Sequence, residues 1–515
     1  MILAMYTIRS KQEYIYRTNK IVEIMGASEI ISNAWNVLFE QAEKSGIKTK
    51  RAENEKFSLG ETKAAFDKKS YQMQELFCGG GNETVLFDSV DTYHKVNHFF
   101  SYYLLKEYPG LIPMSVMYEV SGNYRKDYKN LMDKAEVEKS RMRPGKDSFI
   151  LPFSLMDRVT QEPMSEVEFS NKELKRYSKE SKSKRDKGIE CRNKDEAIKI
   201  LDKMVTKRGK ESLLAVVHAD GNNMGSKIMD LLGEETSYDY CINAMRRFTK
   251  TTAEVFGKHG LAAIENCKKN LEERYKQNKN FQHKDGSLKK TPFVFRKVIA
   301  DGDDMTFICN ARFVMKYVKA YVTAVQNYQE ETGSEWNYSS CAGICIFHSH
   351  YSFAEAYKLA EMACDDGAKD KVHIVDGKGR MQGIEEGWVD FHYLHSGVGG
   401  DLAAIREMQG TNECMARPWL IAGKEKNKKQ EYGYEKLEKL ISILKDYNVS
   451  RTDIKNLGID WESNREEGLI SLRRVFGHHG GLEQKLEESL KWSNEKLMKA
   501  IYDAAEVYDL WFAEE

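Results

Sequence analysis

The chain spells one order of elements twice, and that repetition limits its fold more than any other feature. In the first copy ILAMYTI (2–8) is an unbroken apolar run suited to a buried strand, Thr18 to Ala42 reads largely as helix, and LFCGGGNETVLF (76–87) is a hairpin around a glycine turn. A helix with aromatic spacing from Val90 to Glu107, a strand in IPMSVMYEV (112–120) and a helix from Tyr124 to Lys139 complete it. In the second copy LLAVVHADGNNMG (213–225) is a buried strand ending at Asp220, then a Gly/Asn turn and a helix from about Ser226. A long helical region follows, and FVFRKVIADGDDMTFICN (293–310) makes a hairpin. A helix (Ala311 to Tyr328), a strand (Ser340 to Phe347) and a helix (Ser352 to Lys369) close the copy. The interval from Thr7 to Gly81 nearly equals that from Asp220 to Asp303. The same order at similar spacing predicts two copies of one ferredoxin-like unit.

The expected fold class is α+β. The two units occupy 1–150 and 206–400, and a region with a basic helix (151–205) links them. A third, all-α domain covers 401–515, where YEKLEKLISILKDY (434–447) and similar segments repeat apolar residues at i, i+3 and i+4. Within the link, KELKRYSKESKSKRDKG (172–188) is strongly basic and reads as a solvated linker or helix face.

Lys plus Arg and Asp plus Glu are 79 each in 515 residues, so no global field draws the protein to nucleic acid or to anionic lipid. No apolar stretch approaches the ~20 residues of a membrane span, and the start MILAMYTIRS is charged too soon for a signal peptide. The chain reads as cytosolic. Its nine cysteines never form a CxxC pair and several lie in apolar strands, which suits reduced core thiols.

The chemistry concentrates in the second copy. Asp301-Gly302 between apolar runs is a hairpin signal, but it leaves Asp303 and Asp304 unexplained. Carboxylates this close repel one another unless a cation joins them. With Asp220 at the end of an adjacent central strand, the group suits two divalent ions ~3.5–4 Å apart, the arrangement used for phosphoryl displacement. The GNNMGSK loop (221–227) precedes a helix N-terminus, where free N–H groups favour phosphates. Lys369, closing the last helix, would return beside the hairpin and neutralise β- and γ-phosphates; on pattern alone an exposed helix-end lysine is as good a reading. His348 and His350 lack a third zinc ligand, GHHGG (477–481) reads as a turn, and no His-Asp dipeptide supports an HD-type hydrolase.

At these residues the chain resembles the large polymerase-cyclase subunit family of type III CRISPR systems, whose two palm domains are related to GGDEF cyclases. DGNNMG (220–225) is similar to the family's strand end, DGDD (301–304) to its GGDD hairpin, and CAGICIF (341–347) with AEAYKLAEMACDDGAK (354–369) to its last strand and Ala-Lys helix. SKQEYIY (10–16), GASEII (26–31) and CGGGN (78–82) look like its first palm, and LPFSLMDRVTQEPM and ARPW (416–419) like its later segments. Asn222 stands where the family has a second aspartate, and Asp301 where it has a glycine.

The resemblance implies two palm domains packed together, the first degenerate. It implies condensation of ATP into cyclic oligoadenylate or a related cyclic nucleotide for antiviral defence, with Mg²⁺ or Mn²⁺, by attack of a 3′-hydroxyl on an α-phosphate. Asp220, Gly221, Asp303 and Asp304 would hold metal. Asn222, Asn223, Met224, Gly225, Asp301, Gly302 and Lys369 would bind nucleotide, with Ser28, Gly80, Gly81 and Asn82 taking a second ATP. Other effector subunits and guide RNA are the implied partners, and the chain would be a reduced member without the HD nuclease domain. The competing expectation is a non-catalytic nucleotide-binding scaffold of an RNA-guided complex. A template-dependent polymerase lacks support from the neutral charge.

Overall fold

The computed structural model describes residues 1–52, 55–142, 153–170, 173–192, 204–205, 212–375, 381–395, 400–408, 413–423 and 432–511. Parts of the expected link, 151–152, 171–172 and 193–203, lie outside the described residues. The chain divides into two compact units. The first comprises Met1–Lys199, Asn223–Gly257 and Val298–Asp303; the second comprises Ile200–Asn222, Lys258–Lys297 and Asp304–Glu515.

A run as apolar as ILAMYTI needs neighbours on both edges and cover on both faces. In the first unit β1 (Ile2–Arg9) has both, and it is buried along nearly its whole length. The other strands are β2 (Thr49–Lys50), β3 (Met73–Gly79), β4 (Asn82–Phe87) and β5 (Ile112–Glu119), in the order β2-β3-β4-β1-β5. The turn between β3 and β4 is Gly80-Gly81, with φ of 57° and 70°. Two positive φ angles in a two-residue hairpin turn are what make glycine the cheap choice at both places. The register sets Thr7 opposite Asn82, beside this turn. The helices Met224–Leu232 and Tyr238–Thr252 follow Asp220 in the chain, yet they complete this unit's core. Leu232, Tyr238, Cys241 and Met245 pack there with Leu3, Met5 and Leu76.

The basic run is not a solvated face. After a small hairpin of β6 (Met164–Ser170) and β7 (Glu173–Ser178), the helix Lys179–Arg192 packs on the helix Ile21–Ser32. Lys184 is buried, with Nζ 2.6 Å from both Glu180 Oε1 and the Tyr14 carbonyl. Arg17 reaches Glu180 at 3.2 Å from the other side. Charge counting missed this because one face of the helix carries the paired charges and small residues that burial permits.

In the second unit β8 (Leu213–Gly221) is the central strand. With β9 (Arg296–Asp301), which counts with the first unit from Val298 onward, β10 (Asp304–Asn310), β11 (Ser340–His348), a separate pair β12 (His373–Val375) and β13 (Met381–Gly383), then β14 (Glu386–Tyr393) and β15 (Trp419–Gly423), the main sheet runs β15-β14-β11-β8-β10-β9. The strands β9-β10-β8-β11 repeat the order β3-β4-β1-β5 of the first sheet, so the duplication holds at the level of topology. β15 is a correction: Trp419–Gly423 lies in the stretch expected to be wholly helical, and it pairs antiparallel with β14. Five apolar or small residues give little periodicity to read, and the pairing partner is remote in sequence. From Tyr434 to Leu510 the described structure is helical. No helix among the described residues is long and apolar enough to cross a membrane.

Candidate active site

Strand register decides where the acidic residues of the second unit go. β8 and β10 are antiparallel with Met305 opposite Ala219, and one step further the register sets Asp304 across from Asp220. Facing residues on such strands have Cα atoms about 4.5–5.5 Å apart. The two-residue period puts His218 on the face of Asp220. Its Nδ1 lies 3.5 Å from Asp304 Oδ1 and 3.5 Å from the Tyr357 hydroxyl. On the other side of β8, β11 places Cys341 opposite Asp220 and Gly343 opposite His218.

The helix Phe353–Met362 runs into a π-helical turn, Ala363–Ala368, and then a single 3-10 turn, Lys369–Lys371. A π turn holds an extra residue and re-aims whatever follows it. Here it delivers Lys369 to the carboxylates. Lys369 Nζ is ion-paired with Asp220 Oδ2, and it lies 3.2 Å from Asp365 Oδ1. At 15% side-chain exposure it is not a solvated helix-end lysine. Burial alone would lower its ammonium pKa, but the Asp220 carboxylate, with Cys364 and Asp365, outweighs burial and holds it above the ordinary lysine range. His218 is pushed down, chiefly by burial, against the pull of Asp220 and Asp365.

The tip of the β9–β10 hairpin belongs to the first unit. Gly302 takes φ of 64° in a two-residue turn with Asp303, the place where a hairpin favours glycine. A cavity of about 140 Å³ in that unit is lined by Gly80, Asn82, Met224, Phe248, Gly302 and Asp303 among others. Five residues singled out from sequence thus share one hollow. Gly81 sits beside it against Lys11, whose Nζ donates to the Gly81 carbonyl at 3.0 Å and pairs with Asp301 at 3.4 Å.

Four further sequence-predicted residues are not among those lining this hollow. The Ser28 hydroxyl donates to the Val298 carbonyl. Asn222 is buried in the second unit, its amide donating to Ser339 Oγ at 2.9 Å and to the Glu386 carbonyl at 2.8 Å. Gly225 has nothing near the position a Cβ would take. Asn223, in left-handed backbone with φ of 57°, stands at the N-cap position of the helix that Met224 begins, with no side-chain capping bond. Sequence reasoning missed His218, Asp365 and Lys11. His218 could have been found from its spacing of two from Asp220 on a strand, and Asp365 from its spacing of four from Lys369 on a helix.

Residues 213–375 match the family model of Cas10/Cmr2, second palm domain. The chain carries a Cas10/Cmr2-type second palm. The resemblance read from DGNNMG and DGDD is borne out over this segment, and the α+β architecture with a helical C-terminal region agrees with it. No curated protein matches the chain. Among solved structures it is similar to Csm1 in T. onnurineus, at 13% identity over 99% of this chain and 68% of that one, with a TM-score of 0.47. It is also similar to a Csm1-Csm4 cassette in complex with cA4, at 13% identity over 98% and 69%, with a TM-score of 0.45. In this palm Asp220, Asp304 and His218 sit together on the second unit's sheet, and Lys369 reaches Asp220 from the turn beside it.

Proposed function

We propose that the chain is a cytoplasmic, metal-dependent nucleotidyltransferase that condenses ATP into cyclic oligoadenylate or a related cyclic nucleotide for antiviral defence. The observation that carries this reading is the set Asp220, Asp304 and Lys369 at one end of a sheet matched to a Cas10/Cmr2 palm. Mg²⁺ or Mn²⁺ fits the residues: the donors from Asp220, Gly221, Asp303 and Asp304 are oxygens, the kind these ions take, and Asp220 already holds a cationic group in Lys369. When bound there, the ion supplies charge stabilisation for phosphoryl displacement.

The chain's own residues do the rest. Lys369, given up by Asp220, pairs with the β- and γ-phosphates. The hollow around Gly80, Asn82, Met224 and Gly302 takes a nucleotide, with Gly81 and Asp301 at its edge. The 3′-hydroxyl of one ATP forms a bond to the α-phosphorus of another, the bond to pyrophosphate breaks, and the hydroxyl proton passes to solvent. Other CRISPR effector subunits and guide RNA are the proposed partners.

Incubation of the purified chain with ATP and Mn²⁺, followed by mass spectrometry, tests the proposal. Wild type is expected to yield oligoadenylates, and Asp303→Asn and Asp304→Asn to yield none while melting as wild type does. Product from both variants would overturn the metal assignment. One observation favours a non-catalytic nucleotide-binding scaffold: Asn222, where the family has an aspartate, is bonded into the fold. ATP binding without any product would select that reading.

A further inference from the structure

His218, Cys364 and Asp365 each offer one donor atom, and the three atoms lie within 4.8 Å of one another. We propose that they form a site for a thiophilic divalent cation of the zinc class, next to the all-oxygen set around Asp304 and distinct from it in donor chemistry. The donors are an imidazole, a thiol and a carboxylate. A thiolate selects against Mg²⁺ and Mn²⁺ and for later transition metals. Tetrahedral zinc with bonds of ~2.0–2.3 Å sets its ligands about 3.5 Å apart, so the three groups have roughly 1 Å to close.

The fold builds this meeting. Gly343 stands opposite His218 on β11, and a Cβ there would collide with the backbone of Ala360, Ala363 and Cys364. Its absence lets the π turn settle on the sheet and brings the fully buried Cys364 to the face of His218. The Cys364 thiol donates to the Cys341 carbonyl at 3.5 Å, which fixes its direction. The imidazole is held edge-on to Tyr357, with ring centroids 5.8 Å apart. Its Nδ1, 3.5 Å from Asp304 Oδ1 and from the Tyr357 hydroxyl, has the polar neighbours that orient a metal-binding histidine. Asp365, at 48% side-chain exposure, gives an ion a way in. The ion would displace the thiol proton to solvent. It would also take Asp365 from Lys369, and so bear on the lysine that holds Asp220.

The test needs no nucleotide, so its outcome is independent of whether ATP is condensed. Chelator-treated full chain is titrated with Co²⁺. The expected result is one equivalent bound with a thiolate-to-cobalt charge-transfer band, displaced by Zn²⁺ and untouched by excess Mg²⁺. Cys364→Ser should lose the band, and Cys78→Ser, a change at an exposed thiol, should keep it. Should Cys364→Ser fail to fold, Asp365→Asn decides: this half-exposed position tolerates the change, the band remains, and Co²⁺ affinity falls at least about tenfold for a lost charged ligand. Absence of the band in wild type, its persistence in folded Cys364→Ser, or unchanged affinity in Asp365→Asn would each overturn the site.

Discussion

At Asp220 a single carboxylate faces two rival cations, the Lys369 ammonium that holds it in this structure and the divalent ion proposed for the same oxygens. This changes what a substitution there should do. Removing one of several like charges is ordinarily neutral or stabilising, and Asp304→Asn is expected to leave the melting temperature near wild type. Asp220→Asn instead takes away the main partner of a largely buried ammonium, leaving it Asp365, at a cost of roughly 1–3 kcal/mol. Urea titration of both variants checks the contrast, and equal stability would mean that the pair adds nothing to the fold. Lys369→Ala is expected to lower kcat/KM for ATP about tenfold or more, as loss of a charge-assisted phosphate contact should. The helix lysine Lys95, exposed and in the first unit, is the control. Wild-type constants in Lys369→Ala would move the triphosphate elsewhere.

Helix against helix, the first unit depends on two glycines. A Cβ on Gly26 would strike the Lys184 carbonyl, and one on Gly188 would strike the Val22 carbonyl, because the helices Ile21–Ser32 and Lys179–Arg192 touch backbone to backbone. In an exposed helix Gly→Ala stabilises by roughly 1 kcal/mol. Here Gly188→Ala is expected to destabilise by about 1–3 kcal/mol through overpacking, and the sign alone, read from a urea midpoint, decides whether the contact is as close as described. The same pair shows where sequence reading stops. The hairpins, β1, β8 and the helix Val90–Glu107 were legible because their signals are local: paired turn glycines, unbroken apolar runs and a 3.6-residue period. The basic helix looked solvated because its partners, Tyr14 and Arg17, are remote in the chain, and β15 is a strand only because β14 lies beside it. In the site, Asp220, Asp303, Asp304 and Lys369 stood out by residue type. His218 and Asp365 carry spacing signals relative to Asp220 and Lys369, but the π turn that aims Lys369 depends on packing against β11, which no spacing rule anticipates.

On the largest scale, the second unit joins its sheet to its C-terminal helices through buried charge, and that makes its stability depend on pH. Arg417 lies 2.7 Å from Glu506 and 3.1 Å from Asp503 on the helix Asn494–Val507, and Arg406 bonds Asp390 of β14 at 2.8 and 2.9 Å. Burial pushes the Asp503 carboxyl up, opposed by Arg417 and by the N–H groups of Arg417 and Trp419 that donate to it. His392 of β14 lies among these groups and is buried; its pKa is lowered to about 4, chiefly by burial, with Arg417 and Arg406 lowering it further and Glu506 and Asp390 opposing. A histidine with a depressed folded pKa binds fewer protons folded than unfolded between about 4 and 6.5, so stability rises with pH across that window. Its contribution is complete above about pH 6.5 and is lost as the pH falls toward 4, by roughly 3 kcal/mol. The linkage from Asp503 has the opposite sign, but it is common to wild type and to a neutral replacement at 392, and it cancels in their difference. His392→Gln is therefore expected to keep more of its pH 7.5 stability at pH 4.5 than wild type does, measured as the change in urea midpoint between the two. If both lose the same amount, His392 is protonated in the folded chain, and the acid sensitivity of the joint comes from another group whose pKa is lowered there, His395 or Glu506.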